Sequence, residues 1–140
     1  FDLVGTTASG WLTDRYDPRK LLFVYYALRG LSLIYLPYSD FSFYSLSIFA
    51  IFFGLDWIAT VPPTLRLTTE AFGERDAAIV FGWIVAGHQL GAATAAWMAG
   101  AIREAQGSYM MAFIISGATG LIAAVIALRI GKQQLTAQPA

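Results

Sequence analysis

The sequence predicts an all-α polytopic membrane protein, and three observations lead to this fold class. Of the 140 residues, 57% are hydrophobic and 15% aromatic, whereas 13% are charged, about half the share that is usual in soluble domains. The nine basic and nine acidic residues gather in short clusters between long apolar runs, as in proteins that cross a bilayer several times. These runs do not alternate with polar residues, which argues against a β-barrel.

Five apolar segments follow one another along the chain. The first is a partial span at about residues 1–13, which ends at a charged loop formed by residues 14–20. The full spans are predicted at about residues 21–38, 41–67, 77–102 and 109–130, with a second charged loop at 70–76 and a polar tail at 131–140. Their lengths are close to or above the roughly 20 apolar residues that cross a membrane as a helix.

The basic residues predict the orientation of these spans. One side of the membrane carries most of them, whereas Arg103 lies on the other side; the first group is Arg15, Arg19, Lys20, Arg75, Arg129 and Lys132. Because basic residues favour the cytoplasmic side, we expect the loops 14–20 and 70–76 and the C-terminus to be cytoplasmic, in a bacterial-type inner (plasma) membrane. The chain opens inside an apolar stretch, so we expect a C-terminal piece of a longer protein, with the missing N-terminal helices as its partners.

Several classes of function are excluded by composition. Equal numbers of basic and acidic residues provide no field that would attract nucleic acid. The sequence has no cysteine and one histidine, so no metal site and no cofactor is predicted. An intramembrane Ser–His hydrolase would need Ser116 as its nucleophile, but the surrounding residues do not resemble an activated nucleophile. An enzyme is therefore not predicted.

Polar groups recur near the middle of four predicted spans. They are Asp2, Arg29, Asp56, His88 and Gln89. A charged group facing lipid costs about 2.5–3.5 kcal/mol on insertion scales, so these groups should face a bundle or cavity. Arg29 would anchor an anion, and Asp2 or Asp56 would carry a proton. The alternatives are an Arg29–Asp56 ion pair that only joins helices, and a His88 that only hydrogen-bonds a neighbouring helix.

Three local patterns describe the helices themselves. Asp2, Thr6, Ser9 and Thr13 form one polar stripe on the first segment. Pro62 and Pro63 lack backbone N–H groups and predict a kink in the third segment. Gly87 and Gly91 have the spacing that lets two membrane helices approach closely, either as fixed packing or as a sliding gate.

The segment GWLTDRYDPRK, residues 10–20, is the most specific motif. It resembles the signature loop of the major facilitator superfamily, in which Gly10, Asp14, Arg15, Arg19 and Lys20 match, as does Leu12. Asp17-Pro18 stands where the family usually has a single glycine. The resemblance covers essentially the whole chain, which looks like helices 8 to 12, a partial C-terminal six-helix half of a twelve-helix fold.

The resemblance implies alternating access. It also implies that Asp14 faces the start of the fourth segment near Ala77, with Arg15 as its charge partner in a conformational latch. The FDLVG start, the FFG of the third segment and the GSY before the last are similar to monocarboxylate-porter-like transporters, although Thr6 stands where those porters often carry arginine.

The predicted function is therefore secondary active transport of a small organic solute such as a monocarboxylate, coupled to H⁺ or by exchange. Two alternatives stay open: a permease for a sugar or an exported drug, and a structural or assembly subunit that does not transport.

Overall fold

The structure, a computed structural model, describes residues 2–56 and 59–131, without the side chains of Asp2, Val4, Leu55 and Asp56. All regular secondary structure in these residues is helical, which confirms the all-α prediction. The α-helices are α1 (Asp2–Thr13), α2 (Pro18–Tyr35), α3 (Phe43–Asp56), α4 (Val61–Gln106) and α5 (Met110–Ala127), and a 3₁₀ turn at Leu36–Tyr38 follows α2.

Three helical segments are long and apolar enough to cross a bilayer. They are Pro18–Tyr38 with 21 residues, Val61–Gln106 with 46 and Met110–Ala127 with 18. The apolar helix Phe43–Gly54 is shorter, below the roughly 20 residues that a straight span needs. Their lengths and composition are those of an integral membrane protein.

The start of α2 explains how the signature loop accommodates its extra residue. A side-chain oxygen of Asp17 accepts a hydrogen bond of 2.9 Å from the backbone N–H of Arg19. Pro18 occupies the first helical position, where a missing N–H leaves no acceptor unsatisfied. Asp17 and Pro18 together therefore form a helix start.

The closest helix packing is between α2 and α5, which run antiparallel. A Cβ atom added at Gly30 would lie 2.7 Å from the carbonyl oxygen of Gly117, so the two backbones touch there. Towards the other end of the pair, Leu22 and Ala127 are buried in one cluster with Leu67 of α4. The two helices therefore pack against each other over most of their length.

The predicted span 41–67 is divided in the structure. It comprises α3, which ends at Asp56, and the first turns of α4, which begins at Val61. Pro62 and Pro63 lie in the first turn of α4, where prolines cost no intrahelical hydrogen bond. The break in regular helix that the structure describes, at Ala59 and Thr60, therefore lies directly before the two prolines.

The predicted charged loop 70–76 is also mostly helical. The chain changes direction at Gly73, whose φ of 77° and ψ of 162° interrupt α4, and this conformation is essentially restricted to glycine. The second part of α4 then continues to Gln106 and ends at Gly107, with φ of 70°. Residues 82–98 of this part are all exposed in the described structure.

Candidate functional site

A side chain from α1 forms a hydrogen bond with the backbone just before α4. The hydroxyl of Ser9 donates a hydrogen bond of 2.5 Å to the carbonyl oxygen of Ala59. In a continuous helix this carbonyl would accept from the backbone N–H of residue 63, but Pro63 has none. Ser9 and Pro63 are fully buried and Ala59 is 2% exposed, so Ser9 provides the donor that the backbone lacks.

The chain re-enters helical geometry directly after this point. The carbonyl oxygen of Thr60 accepts hydrogen bonds from the backbone N–H of Thr64 at 3.2 Å and from its hydroxyl at 2.6 Å. Asp56 is the last residue of α3, three residues before Ala59, and Asp2 is the first residue of α1. The side chains of both carboxylic acids lie outside the described part of the structure.

Arg29 lies in the second half of α2 and is partly buried. Its guanidinium lies 5.9 Å from the ring centroid of Tyr26, and its carbonyl oxygen accepts a hydrogen bond of 2.9 Å from the hydroxyl of Ser32. The next residue, Gly30, is the point at which α2 meets α5. The backbone that carries Arg29 is therefore held firmly by helix packing.

His88 and Gln89 lie on α4 and are exposed. No hydrogen bond or ion pair joins either side chain to Arg29 within the described residues. A Cβ atom added at Gly87 or Gly91 would meet nothing within 4 Å. Close packing at these two glycines is therefore absent from the described structure, although Gly91 lines an open groove of 350 Å³ between α4 and α5.

Arg66 of α4 contacts the signature loop, although it was not predicted from the sequence as a site residue. Nη1 of Arg66 donates to the carbonyl oxygen of Thr13 and lies 4.0 Å from a carboxylate oxygen of Asp14. Nε of Arg66 also pairs with Glu70 at 3.0 Å. The guanidinium of Arg15, the implied partner of Asp14, instead lies 4.1 Å from the ring centroid of Trp11.

Two of these contacts were missed because they join distant parts of the sequence. Ser9 belongs to the predicted polar stripe of the first segment, but the stripe alone does not identify Ala59 as its acceptor, 50 residues away. For Arg66 the available signal was its i, i+4 spacing to Glu70. Within the described residues, no group of three metal-ligating side chains occurs.

Comparison of the sequence with known proteins identifies a family and one curated relative. The sequence model of the Major Facilitator Superfamily matches residues 1–139. Monocarboxylate transporter 13 of Rattus norvegicus is 29% identical over 119 residues, which cover 84% of this chain and 28% of the rat protein. The chain thus spans little more than a quarter of the length of this curated relative. No solved structure matches the chain significantly.

Proposed function

The chain belongs to the major facilitator superfamily, and on this premise we propose that it is the C-terminal part of a secondary transporter that works by alternating access. The family is one of membrane transporters rather than enzymes, and the apolar helices fit an integral membrane protein. The missing helices would come from the N-terminal part of the same parent chain, and the two parts would rock around a central site.

The observation that carries the proposal is the break in regular helix at Ala59 and Thr60, directly before α4. Irregular backbone at membrane depth is tolerated where it is buried in protein or lines a cavity, and interrupted helices commonly form the binding sites of secondary transporters. Here Ala59 is buried, and the hydroxyl of Ser9 donates to its freed carbonyl. A carboxylic acid, Asp56, lies three residues before Ala59, at the end of α3.

We further propose that the substrate is a small organic anion such as a monocarboxylate, moved with H⁺ or by exchange. Arg29 would bind its carboxylate, because a guanidinium is permanently charged and forms paired hydrogen bonds. Asp2 or Asp56 would carry the proton, and His88 and Gln89 would line the site. The name of the rat relative, a monocarboxylate transporter, supports this substrate class.

The signature loop, which follows Gly10 of α1, would act as the latch of one state through Asp14 and Arg66. Its other basic residues, Arg15, Arg19 and Lys20, would lie on the cytoplasmic side. The strong excess of basic residues on this side supports a cytoplasmic position for the loops and the C-terminus. A bacterial-type inner membrane remains part of the same proposal.

Uptake by the full-length protein in proteoliposomes tests the proposal. With an imposed pH gradient and a panel of carboxylates, sugars and cationic drugs, we expect carboxylate uptake. Arg29→Gln should lower it at least about tenfold, because a hydrogen-bonded charge pair contributes about 1.5–3 kcal/mol. Asp56→Asn should abolish the response to the gradient.

Arg103→Gln is the matched control, because this arginine lies in the last turn of α4 and stacks on Tyr109 at 5.2 Å. Uptake of a sugar or a drug at the same rate in the wild type and in Arg29→Gln would contradict the anion assignment and favour a permease for another substrate. No uptake of any compound, with both site variants merely unstable, would favour the structural subunit.

A further inference from the structure

An open groove follows the outer face of α5. It has a volume of 430 Å³ and is lined by Leu121, Ile122, Val125, Ile126 and Arg129. The three central side chains are 53–59% exposed. α5 packs on α2 through Gly117, and a Cβ atom added at Gly30 would also lie 3.1 Å from Leu121. Leu121 therefore forms the edge of the groove next to α2, and the three exposed side chains form the rest of it. It is apolar along its length and ends at one guanidinium.

Positive charge collects at the same end of α5. Arg129 and Lys20 are exposed, and Nη2 of Arg19 would lie 2.9 Å from a Cβ atom added at Gly131. Arg19 therefore covers the backbone just beyond α5. The dipole of a helix places only about half a negative charge at its C-terminus, which is less than the charge of these three cations.

No described carboxylate neutralises this charge. Within residues 2–56 and 59–131, no ion pair involves Arg19, Lys20 or Arg129. Asp17 is close in sequence, but its carboxylate caps a backbone N–H of α2. The sequence from residue 132 to residue 140 contains no aspartate or glutamate. Among the described residues, the end of the groove therefore carries positive charge that no carboxylate pairs with.

We propose that this groove binds an anionic phospholipid, with its phosphate at Arg129 and an acyl chain along Ile122, Val125 and Ile126. The groove supplies the apolar surface, and the guanidinium forms paired hydrogen bonds with phosphate. Basic sites at the ends of membrane helices recognise anionic headgroups in this way. A zwitterionic choline headgroup would bring its own cation next to Arg19 and Lys20. The proposal depends on the chain lying in a membrane and not on transport.

Native mass spectrometry of the full-length protein in detergent tests the headgroup. Phosphatidylglycerol and phosphatidylcholine with identical acyl chains are titrated separately, and the wild type should retain phosphatidylglycerol more strongly. Arg129→Gln should reduce this preference about fivefold, since one basic residue near the surface contributes about 1 kcal/mol. Arg129→Lys should keep most of it, and Arg103→Gln should leave it unchanged.

A second variant tests the groove. Val125→Trp should fill it without changing the charge and should weaken retention of both lipids. Inorganic phosphate in excess should fail to displace phosphatidylglycerol. Three results would each overturn the proposal. They are equal binding of the two lipids to the wild type, an unchanged preference for phosphatidylglycerol in Arg129→Gln, and displacement of phosphatidylglycerol by phosphate alone. Because the readout is binding, a failed uptake assay would not affect it.

Discussion

The hydroxyl of Ser9 provides a hydrogen bond that the backbone at Pro63 cannot form, so its removal should be costly. We expect Ser9→Ala to lower the free energy of unfolding by about 1–3 kcal/mol, because the buried carbonyl of Ala59 loses its donor. The thermal unfolding midpoint in detergent measures this loss.

Thr7→Ala is the matched control for Ser9→Ala. Thr7 is exposed on the same helix and donates to the carbonyl oxygen of Leu3, within α1, so its loss should change the stability by less than about 0.5 kcal/mol. If the two variants unfold at the same temperature, the contact between Ser9 and Ala59 does not stabilise the interruption.

Asp40, in the turn before α3, should make the stability depend on pH. Its carboxylate accepts hydrogen bonds from the hydroxyls of Ser45 and Ser42 and from the backbone N–H of Ser42, and these bonds hold its pKa below the usual value. The ionised group therefore stabilises the folded state above its unfolded pKa of about 3.9. This contribution is lost as the pH falls through the lower folded pKa.

We accordingly expect wild-type protein to unfold at a higher temperature than Asp40→Asn at pH 6, and this difference to shrink as the pH falls below about 4. Unfolding midpoints measured from pH 6 to about pH 2 provide the comparison. Ser45→Ala removes the donor with the largest effect on the pKa and should reduce the dependence on pH. A difference that stays constant over this range would argue against the role of Asp40.

At the scale of helices, the crossing of α2 and α5 depends on Gly30. Gly30→Ala would place a Cβ atom 2.7 Å from the carbonyl oxygen of Gly117 and 3.1 Å from Leu121. We expect the forced separation to cost about 1–3 kcal/mol before the gain in helix propensity is subtracted. The midpoint of thermal unfolding and cross-linking between the two helices measure the effect.

Gly100→Ala provides the comparison within the same chain. Its added Cβ would meet nothing within 4 Å, and alanine is the better helix former by about 1 kcal/mol. This variant should be as stable as the wild type or more stable. A Gly30→Ala protein that behaves like Gly100→Ala would show that the two helices can separate slightly without loss.

At the scale of the whole molecule, Arg66 joins the end of α1 to α4 through Thr13, Asp14 and Glu70. If this connection holds one state of the transport cycle, Arg66→Gln should change the uptake rate without changing the order of preferred substrates. A partly exposed ion pair contributes up to about 1 kcal/mol, so the change should be about fivefold at most. Arg103→Gln, which removes an exposed cation in the last turn of α4, is the control. Equal rates in the wild type and both variants would show that Arg66 does not act in the cycle.

The all-helical class and the family followed from local sequence features, because apolar runs and the motif at residues 10–20 are each contiguous. The hydrogen-bond donor at the two prolines did not follow. Pro62 and Pro63 show locally that helical hydrogen bonds are missing, but the group that replaces one of them, the hydroxyl of Ser9, comes from another helix. Glycine spacing likewise indicated close packing at Gly87, whereas the described structure has it at Gly30, because the partner helix decides which glycine is covered.

The crossing of α2 and α5 also has a consequence for biosynthesis. Gly30 and Gly117 touch, although 86 residues lie between them in the chain, so α2 enters the membrane well before its packing partner has been synthesised. During that interval its glycine-bearing face must be covered by lipid or by an assembly factor. A chain that stopped before α5 would keep this face exposed, and we expect cellular quality control to degrade it faster than a chain that includes α5.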